Sequence, residues 1–290
     1  MSWLILALAS AFFLGCYDLA KKKSVQDNAV RPVLFLCSAF YALLMSPILL
    51  SGHCENLPLQ SHLLLAGKAL IVGGSWILTY NALAHLPLSI ATTIRALAPV
   101  FTIFIAVTFM GERPFAMQWA GVAICVCSYV ALSMAGRKEM GHFFSNGWVI
   151  SMLLGTVLAA CSGVYDKFIL QRMDFEPLTV QVWFSIYMAL LQFIIAAVTW
   201  FPKRKTSTPF QFRWTFLLVA VLLIVADRCY FLAVSDPDAL ISLITVFRRS
   251  SVLIGFVAGL LIFKEKKSAL KWIALFGIIT GLCLIALGKG

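Results

Sequence analysis

The sequence predicts an all-α integral membrane protein of ten transmembrane helices, arranged as a 5+5 inverted-topology repeat. Three observations predict it. The 290 residues are 61% hydrophobic and only 12% charged, with a mean hydropathy of +0.94, whereas a soluble domain is about 45–50% apolar and about 25% charged. Scanning with a window of about 19 residues finds ten apolar runs, each close to the roughly 20 residues a helix needs to cross about 30 Å of hydrocarbon. The first five runs resemble the last five. The runs are about twice as long as a barrel strand, and in lipid each must satisfy its own backbone, which selects helices. So many spans leave only short connections. That excludes a separate soluble domain, and with it a nucleic-acid binder, a secreted disulfide scaffold and an enzyme with a globular catalytic lobe.

The first set of runs covers 2–20, 32–50, 62–83, 88–110 and 115–135, and the second covers 147–168, 178–200, 213–234, 239–263 and 268–288. Polar punctuation separates them, including Gly111-Glu112-Arg113-Pro114, Lys203-Arg204-Lys205 and Lys264-Glu265-Lys266-Lys267. The N-terminus is apolar from the start, with no basic lead, and Gly15-Cys16-Tyr17-Asp18 is a poor cleavage site, so the first run reads as a retained helix. Trp3, Trp148, Trp200, Trp214 and Trp272 near run ends read as interface anchors. Gly255, Gly259, Gly277 and Gly281 give small-xxx-small spacing for close helix packing. The eight cysteines lack the paired spacing of a zinc or redox site, and the four histidines lack ligand spacing. No metal and no cofactor is expected.

The repeat is visible residue by residue. Gly15-Cys16-Tyr17-Asp18 recurs as Gly163-Val164-Tyr165-Asp166, and Tyr80 with Pro87 recurs as Tyr230 with Pro237. Arg95 and Glu112 align with Arg248 and Glu265 at the same spacing, and Gln118-Trp119 continues into Lys271-Trp272. The repeat units are 1–136 and 147–290. Five helices is an odd number, so the second unit enters the membrane upside down. Inverted repeats about an axis in the membrane plane are an architecture of secondary transporters, with the site near the midplane between the halves.

The net charge of +11 divides into two parts. Most of it lies in loops, where contact with anionic lipid headgroups accounts for it. The rest lies inside the runs, where ionisable side chains cost about 2.5–3.5 kcal/mol each and mark functional sites. Arg95 is flanked by Ile94, Ala96 and Leu97, and Arg248 and Arg249 sit deep in the ninth run. Three guanidiniums near the midplane suit bidentate contact with phosphate or carboxylate. Internal salt bridges to Asp18, Asp166 or Asp227 are the competing reading. Asp18 and Asp166 follow Tyr17 and Tyr165, and these four residues carry either a coupling or gating role or ordinary pairing with Lys22 or Lys167. Asp227 and Arg228 are expected in a charge network. Lys68 lies near the start of its run, where snorkelling suffices.

With ten helices in a 5+5 repeat, Pro99 in the fourth helix, and Phe109-Met110-Gly111-Glu112-Arg113-Pro114 echoed by Ile262-Phe263-Lys264-Glu265-Lys266, the whole chain resembles the drug/metabolite transporter superfamily, in particular its EamA-type permeases. A narrower resemblance is to the triose-phosphate/phosphate translocators. Those carry a basic residue four positions before a helix-four proline and a basic pair in helix nine, which bind the substrate phosphate. Arg95 with Pro99, and Arg248-Arg249, match that pattern, while Ala98 departs from it. The resemblance implies hydroxyl contacts from Thr79, Tyr80 and Tyr230.

The expected function is secondary transport of a small polar, anionic or phosphorylated metabolite by alternating access, in the plasma or inner cell membrane. The expected partners are that metabolite and the lipid bilayer, with no nucleic acid, in a monomer or homodimer. One alternative is an exporter of amino acids or similar zwitterions. A more distant one is a membrane enzyme acting on lipid, for which HExxH and GxSxG signatures are missing from the sequence. The loops after helices 1, 5, 7 and 9 hold most Lys and Arg, which by the positive-inside rule puts both termini outside. Resemblance to the superfamily implies both termini inside. An even helix count keeps them on one side in either case.

Overall fold

A computed structural model describes residues 2–86, 94–95, 97–134, 147–206, 208–251, 253–254 and 269–288. Among these, ten helices of more than five residues run in chain order: α1 Ser2–Val25, α2 Val30–Leu50, α3 Leu59–His85, α4 Ala98–Ile105, α5 Ala116–Met134, α6 Gly147–Lys167, α7 Pro177–Thr199, α8 Thr215–Ser235, α9 Ile241–Arg249 and α10 Ala269–Leu287. Six stretches of α1, α2, α3, α6, α7 and α8 are long and apolar enough to cross a membrane by length and composition, and α4, α5 and α10 are shorter apolar helices. Large apolar side chains such as Phe104, Phe109, Ile273 and Phe276 are exposed. In a membrane, that surface meets lipid tails.

Local sequence explains the helix ends. Pro177 occupies the first turn of α7, where its missing N–H costs nothing, and the Glu176 side chain accepts from the Thr179 amide at 2.5 Å. At the other end of α4, a π turn over Ala106–Met110 leads into Gly111, whose φ of +70° is the left-handed conformation glycine adopts most cheaply. Pro114 then prevents continuation. A second π turn, Phe168–Arg172, closes α6.

Two of the apolar runs are not continuous helices. The run predicted over 88–110 contains a turn at Leu97 before α4 begins at Ala98, because Pro99 has no N–H with which to continue the helical hydrogen-bond ladder. In the run predicted over 239–263, α9 ends at Arg249 and helical backbone is seen again at 253–254. Ser250 and Ser251 form turns bonded three residues back, to Phe247 and Arg248, and the Ser250 hydroxyl also bonds the Phe247 carbonyl at 2.6 Å. The two turns stand 153 residues apart (250 minus 97), the same separation as Arg248 from Arg95.

The helices pack in matched pairs. α1 lies along α8, α3 along α6, α2 along α7, and α5 along α10. α4 touches α6 as α9 touches α1, and α4 and α9 touch each other. Adding or subtracting five from each helix number returns the same set of pairs. The α5–α10 seam is tight because a Cβ on Gly121 would fall 2.6 Å from the Gly281 carbonyl oxygen, so only glycine lets these backbones meet. Gly255 and Gly259 lie outside the described residues.

Trp3 corrects its expected role. It is buried, packed edge-on against Phe247 with ring centroids 6.3 Å apart. Trp148, Trp214 and Trp272 are exposed, as interface anchors require.

Candidate functional site

A central cavity of about 350 Å³ opens between α1, α2, α3, α4, α6, α7, α8 and α9, and none of its described lining residues comes from the α5–α10 pair. Among the described residues, its wall carries five cationic side chains, Lys21, Lys68, Arg95, Arg248 and Arg249, against three carboxylates, Asp18, Asp166 and Asp227. Two of these cations are already neutralised. Lys68 Nζ donates to Asp166 Oδ1 at 2.5 Å, and Arg248 Nη2 donates to Asp227 Oδ1 at 2.7 Å.

Each pair is held from several helices. Tyr230 of α8 donates its hydroxyl to Asp166 Oδ2 at 3.0 Å, and its ring carries the Arg248 guanidinium at 4.0 Å. Tyr41 of α2 donates to Asp227 Oδ2 at 3.3 Å and accepts from Gln181 of α7 at 3.0 Å. Lys68 sits between two rings, with Nζ 4.1 Å from the Phe231 centroid and 4.4 Å from that of Phe184. The result is one network that runs from Lys68 through Asp166, Tyr230 and Arg248 to Asp227 and Tyr41.

Arg95 and Arg249 differ. Both line the cavity, and neither takes part in an ion pair or hydrogen bond among the described residues. The charges felt by Arg249 include the repelling Arg95 and the attracting Asp18. Both arginines lie at helix breaks: Arg95 two residues before the Leu97 turn, and Arg249 as the last residue of α9. The first residues of α4, Ala98 and Pro99, also line the cavity. Pro99 has no N–H and the Val100 and Phe101 amides are bonded to the Leu97 carbonyl, so the preference of this end of the cavity for an anion rests on the two guanidiniums. At the end of α9, the macrodipole favours a cation in its last turn, which eases burial of Arg248 and Arg249.

Of the residues expected in the site, Arg95, Arg248, Arg249, Thr79 and Tyr230, with Tyr17, Asp18 and Asp166, come together on this cavity. The Thr79 hydroxyl is bound to the Ser75 carbonyl at 2.8 Å. Tyr80 lies in α3, and its side chain is outside the described residues. Tyr165 is not on the cavity wall: its hydroxyl donates to the Leu64 carbonyl at 3.1 Å. The repeat-related tyrosines therefore diverge.

Lys68 corrects the sequence reading most. It does not snorkel; it is 1% exposed, nine residues beyond Leu59 in α3, which is about 14 Å along the helix axis. Asp166 pairs with Lys68, and Lys167 pairs instead with Glu112. Counting Lys68 from Pro58, which precedes α3, rather than from the first strongly apolar window was the signal available. No signal in the sequence marked Tyr41 or Gln181.

Glu112 organises the end of the bundle. Its Oε1 accepts from the Ile241 amide at 2.7 Å, and its Oε2 accepts from the Ser242 amide at 3.1 Å and from the Ser242 hydroxyl. The same carboxylate pairs with Lys167 Nζ at 2.7 Å, and Lys167 also reaches the Ala239 carbonyl. Gln171 donates to the Val234 and Asp236 carbonyls at 2.7 and 2.8 Å. The Gly-Glu-Arg-Pro signature thus ends α4 and caps the start of α9 in the other half of the chain.

The comparisons agree with this architecture. Residues 1–134 match the EamA-like transporter family. The protein named "Uncharacterized inner membrane transporter YedA" of Escherichia coli (strain K12) is 25% identical over 255 residues, covering 85% of this chain and 78% of its own length. The "Probable terminal-alkyne amino-acid exporter" of Streptantibioticus cattleyicolor is 32% identical over 83 residues, 28% of this chain and 25% of its own. A solved crystal structure superposes with a TM-score of 0.78 at 17% identity, covering 100% of this chain and 99% of that one, so the fold is shared. The chain is a multi-pass membrane protein whose first 134 residues are similar to the EamA-like transporters.

Proposed function

We propose that this protein is a secondary transporter of the cell membrane that moves a small anionic metabolite by alternating access. The observation that carries the reading is the pair of guanidiniums, Arg95 and Arg249, that have no ion pair among the described residues, on a cavity wall whose described residues hold two more cations than carboxylates. Arg95 is exposed and Arg249 half-buried on that wall, so each guanidinium is open to a substrate carboxylate or phosphate, which it can hold by paired, charge-assisted hydrogen bonds. Arg248, held to Asp227, keeps an unpartnered buried Nε and shapes the same wall. The narrower likeness to the triose-phosphate/phosphate translocators rests on Arg95, Pro99, Arg248 and Arg249 alone, and points the same way. Tyr17 and Asp18, on α1 at the cavity wall, are the gating residues in this reading.

The units 1–136 and 147–290 act as inverted repeats that rock around the cavity. Support comes from the set of helix pairs that survives exchange of the halves, and from helix breaks 153 residues apart. In the test, purified protein in vesicles is loaded with sugar phosphates, dicarboxylates and amino acids, and exchange against labelled forms of each is followed. Anion exchange that Arg95→Ala and Arg249→Ala abolish is the expected result.

A second reading, export of a zwitterion, is favoured by Asp18. It lines the same cavity and takes part in no ion pair among the described residues, so it suits a substrate amine. The resemblance of 83 residues to the protein named a probable amino-acid exporter leans this way too. In the same vesicles, exchange of amino acids that Asp18→Asn abolishes selects this reading.

A further inference from the structure

We propose that the Lys68–Asp166 pair is a proton-binding site, in which a proton on Asp166 releases Lys68 to hold the anionic substrate. This rests on the anion-transporter reading above. Both side chains are buried, at 1% and 4% exposure, yet both line the cavity. The pair joins α3 of the first half to α6 of the second, whereas Arg248–Asp227 joins neighbouring helices of one half. α3 and α6 lie along one another, so the pair bonds two packed helices that come from different halves of the chain.

The chemistry at the pair follows from its contacts. While Asp166 is ionised, Oδ1 accepts from Lys68 and Oδ2 from Tyr230. A proton taken from water onto Oδ1 neutralises the carboxylate, so Lys68 loses its counter-ion and Asp166 holds it only as a neutral hydrogen-bond partner. The ammonium keeps its proton and stays on the faces of Phe184 and Phe231, which favour a cation. An anionic oxygen of the substrate then replaces Asp166 as its counter-ion. On the opposite side of the membrane the substrate leaves, Asp166 returns its proton to water, and the pair closes. One proton and one negative charge cross together.

Other charges face the pair without taking its place. From α8 come Tyr230 and Asp227, and from α9 comes Arg248. From α7 comes the Phe184 ring. α6 itself adds Tyr165 and Lys167, which are turned to Leu64 and Glu112, and α4 has no titratable side chain between Ala98 and Met110. The nearest carboxylate competitor, Asp227, is held by Arg248, which does not give up its proton.

The test uses the full chain in lipid vesicles. Infrared spectra recorded against pH, with no anion added, read the C=O stretch of a protonated carboxyl group. The wild type is expected to show a band that grows as pH falls. Asp166→Asn removes it, and Tyr230→Phe moves it to higher frequency because the hydroxyl on Oδ2 is gone. Tyr230→Phe keeps the test valid if Asp166→Asn does not fold. With a pH dye inside and inorganic phosphate, glycerol 3-phosphate and succinate outside, anion entry is expected to acidify the lumen in the wild type, and Asp166→Asn to lose that acidification.

No band that responds to Asp166→Asn or Tyr230→Phe overturns the proposal, and so does anion entry without proton movement. A band that responds as expected, beside vesicles that move none of the three anions, upholds Asp166 as a proton site and overturns the anion-transporter reading instead.

Discussion

Glu112 caps a helix that begins 129 residues later: its Oε1 accepts from the Ile241 amide at 2.7 Å while holding Lys167 in an ion pair. A single carboxylate thereby ties the end of α4, the end of α6 and the start of α9. Removing one member of a buried pair leaves the other charge unpaired, at about 3–5 kcal/mol. Glu112→Ala is therefore expected to lower the Tm of the purified protein by several degrees, and the double change Glu112→Gln with Lys167→Met to recover part of that loss. A double variant less stable than Glu112→Ala would show that the pair itself is not the source of the effect.

The network around Tyr230 predicts a second coupling. Asp227→Ala leaves Arg248 with no carboxylate and Tyr41 with no acceptor, so it costs about 3–5 kcal/mol by the same rule. Tyr41→Phe removes one hydrogen bond and costs about 1 kcal/mol. Thermal unfolding of the two variants, side by side, is expected to separate them clearly. Equal losses would contradict the central place given to the Arg248–Asp227 pair.

At the α5–α10 seam, Gly121 and Gly281 allow backbone contact. Gly121→Val forces the helices apart and is expected to cost at least the 1–3 kcal/mol usual for overpacking. The yield of folded protein on size exclusion should fall. Since this seam is away from the cavity, the protein that does fold is expected to keep its transport rate.

Cys54 lies in the loop between α2 and α3. Partial burial pushes its thiol up, Glu176 adds to this, and the contact with Thr179 opposes it. Less thiolate forms near neutral pH than on a free cysteine, so maleimide labelling in a variant that retains only this cysteine is expected to lag a free thiol and to catch up as pH rises. With ten spans, two helices separate Cys54 from the N-terminus and eight from the C-terminus. Labelling by an impermeant maleimide is expected from the same side as a C-terminal tag. Labelling from the opposite side would contradict the helix count.

Much of this architecture was legible in the sequence, for physical reasons that also explain the misses. Hydropathy located the ten runs because lipid imposes one length and one polarity on every span. The Gly111-Glu112-Arg113-Pro114 signature marked a helix end because glycine and proline act locally. The turns at Leu97 and Ser250 were invisible to the same scan, since a window of about 19 residues averages over a break that adds no charge. Arg95, Arg248 and Arg249 stood out as charges inside apolar runs. Asp227 was among the carboxylates named as possible partners, but which one pairs with Arg248, and that Asp166 takes Lys68 rather than Lys167, is decided by how α3, α6, α8 and α9 turn toward one another. Repeat logic placed Tyr165 beside Tyr17 in role. Packing separated them, since one faces the cavity and the other bonds the Leu64 carbonyl.

The central claim is that Arg95 and Arg249 hold an anionic substrate, and the most direct measurement is exchange of labelled anions by wild type, Arg95→Ala and Arg249→Ala in vesicles, with folding verified by Tm. A hydrogen bond to a charged group is worth about 1.5–3 kcal/mol, so each variant is expected to lose about 10- to 100-fold in apparent affinity or rate while its Tm stays within a few degrees or rises. Undiminished anion exchange in both variants would contradict the account.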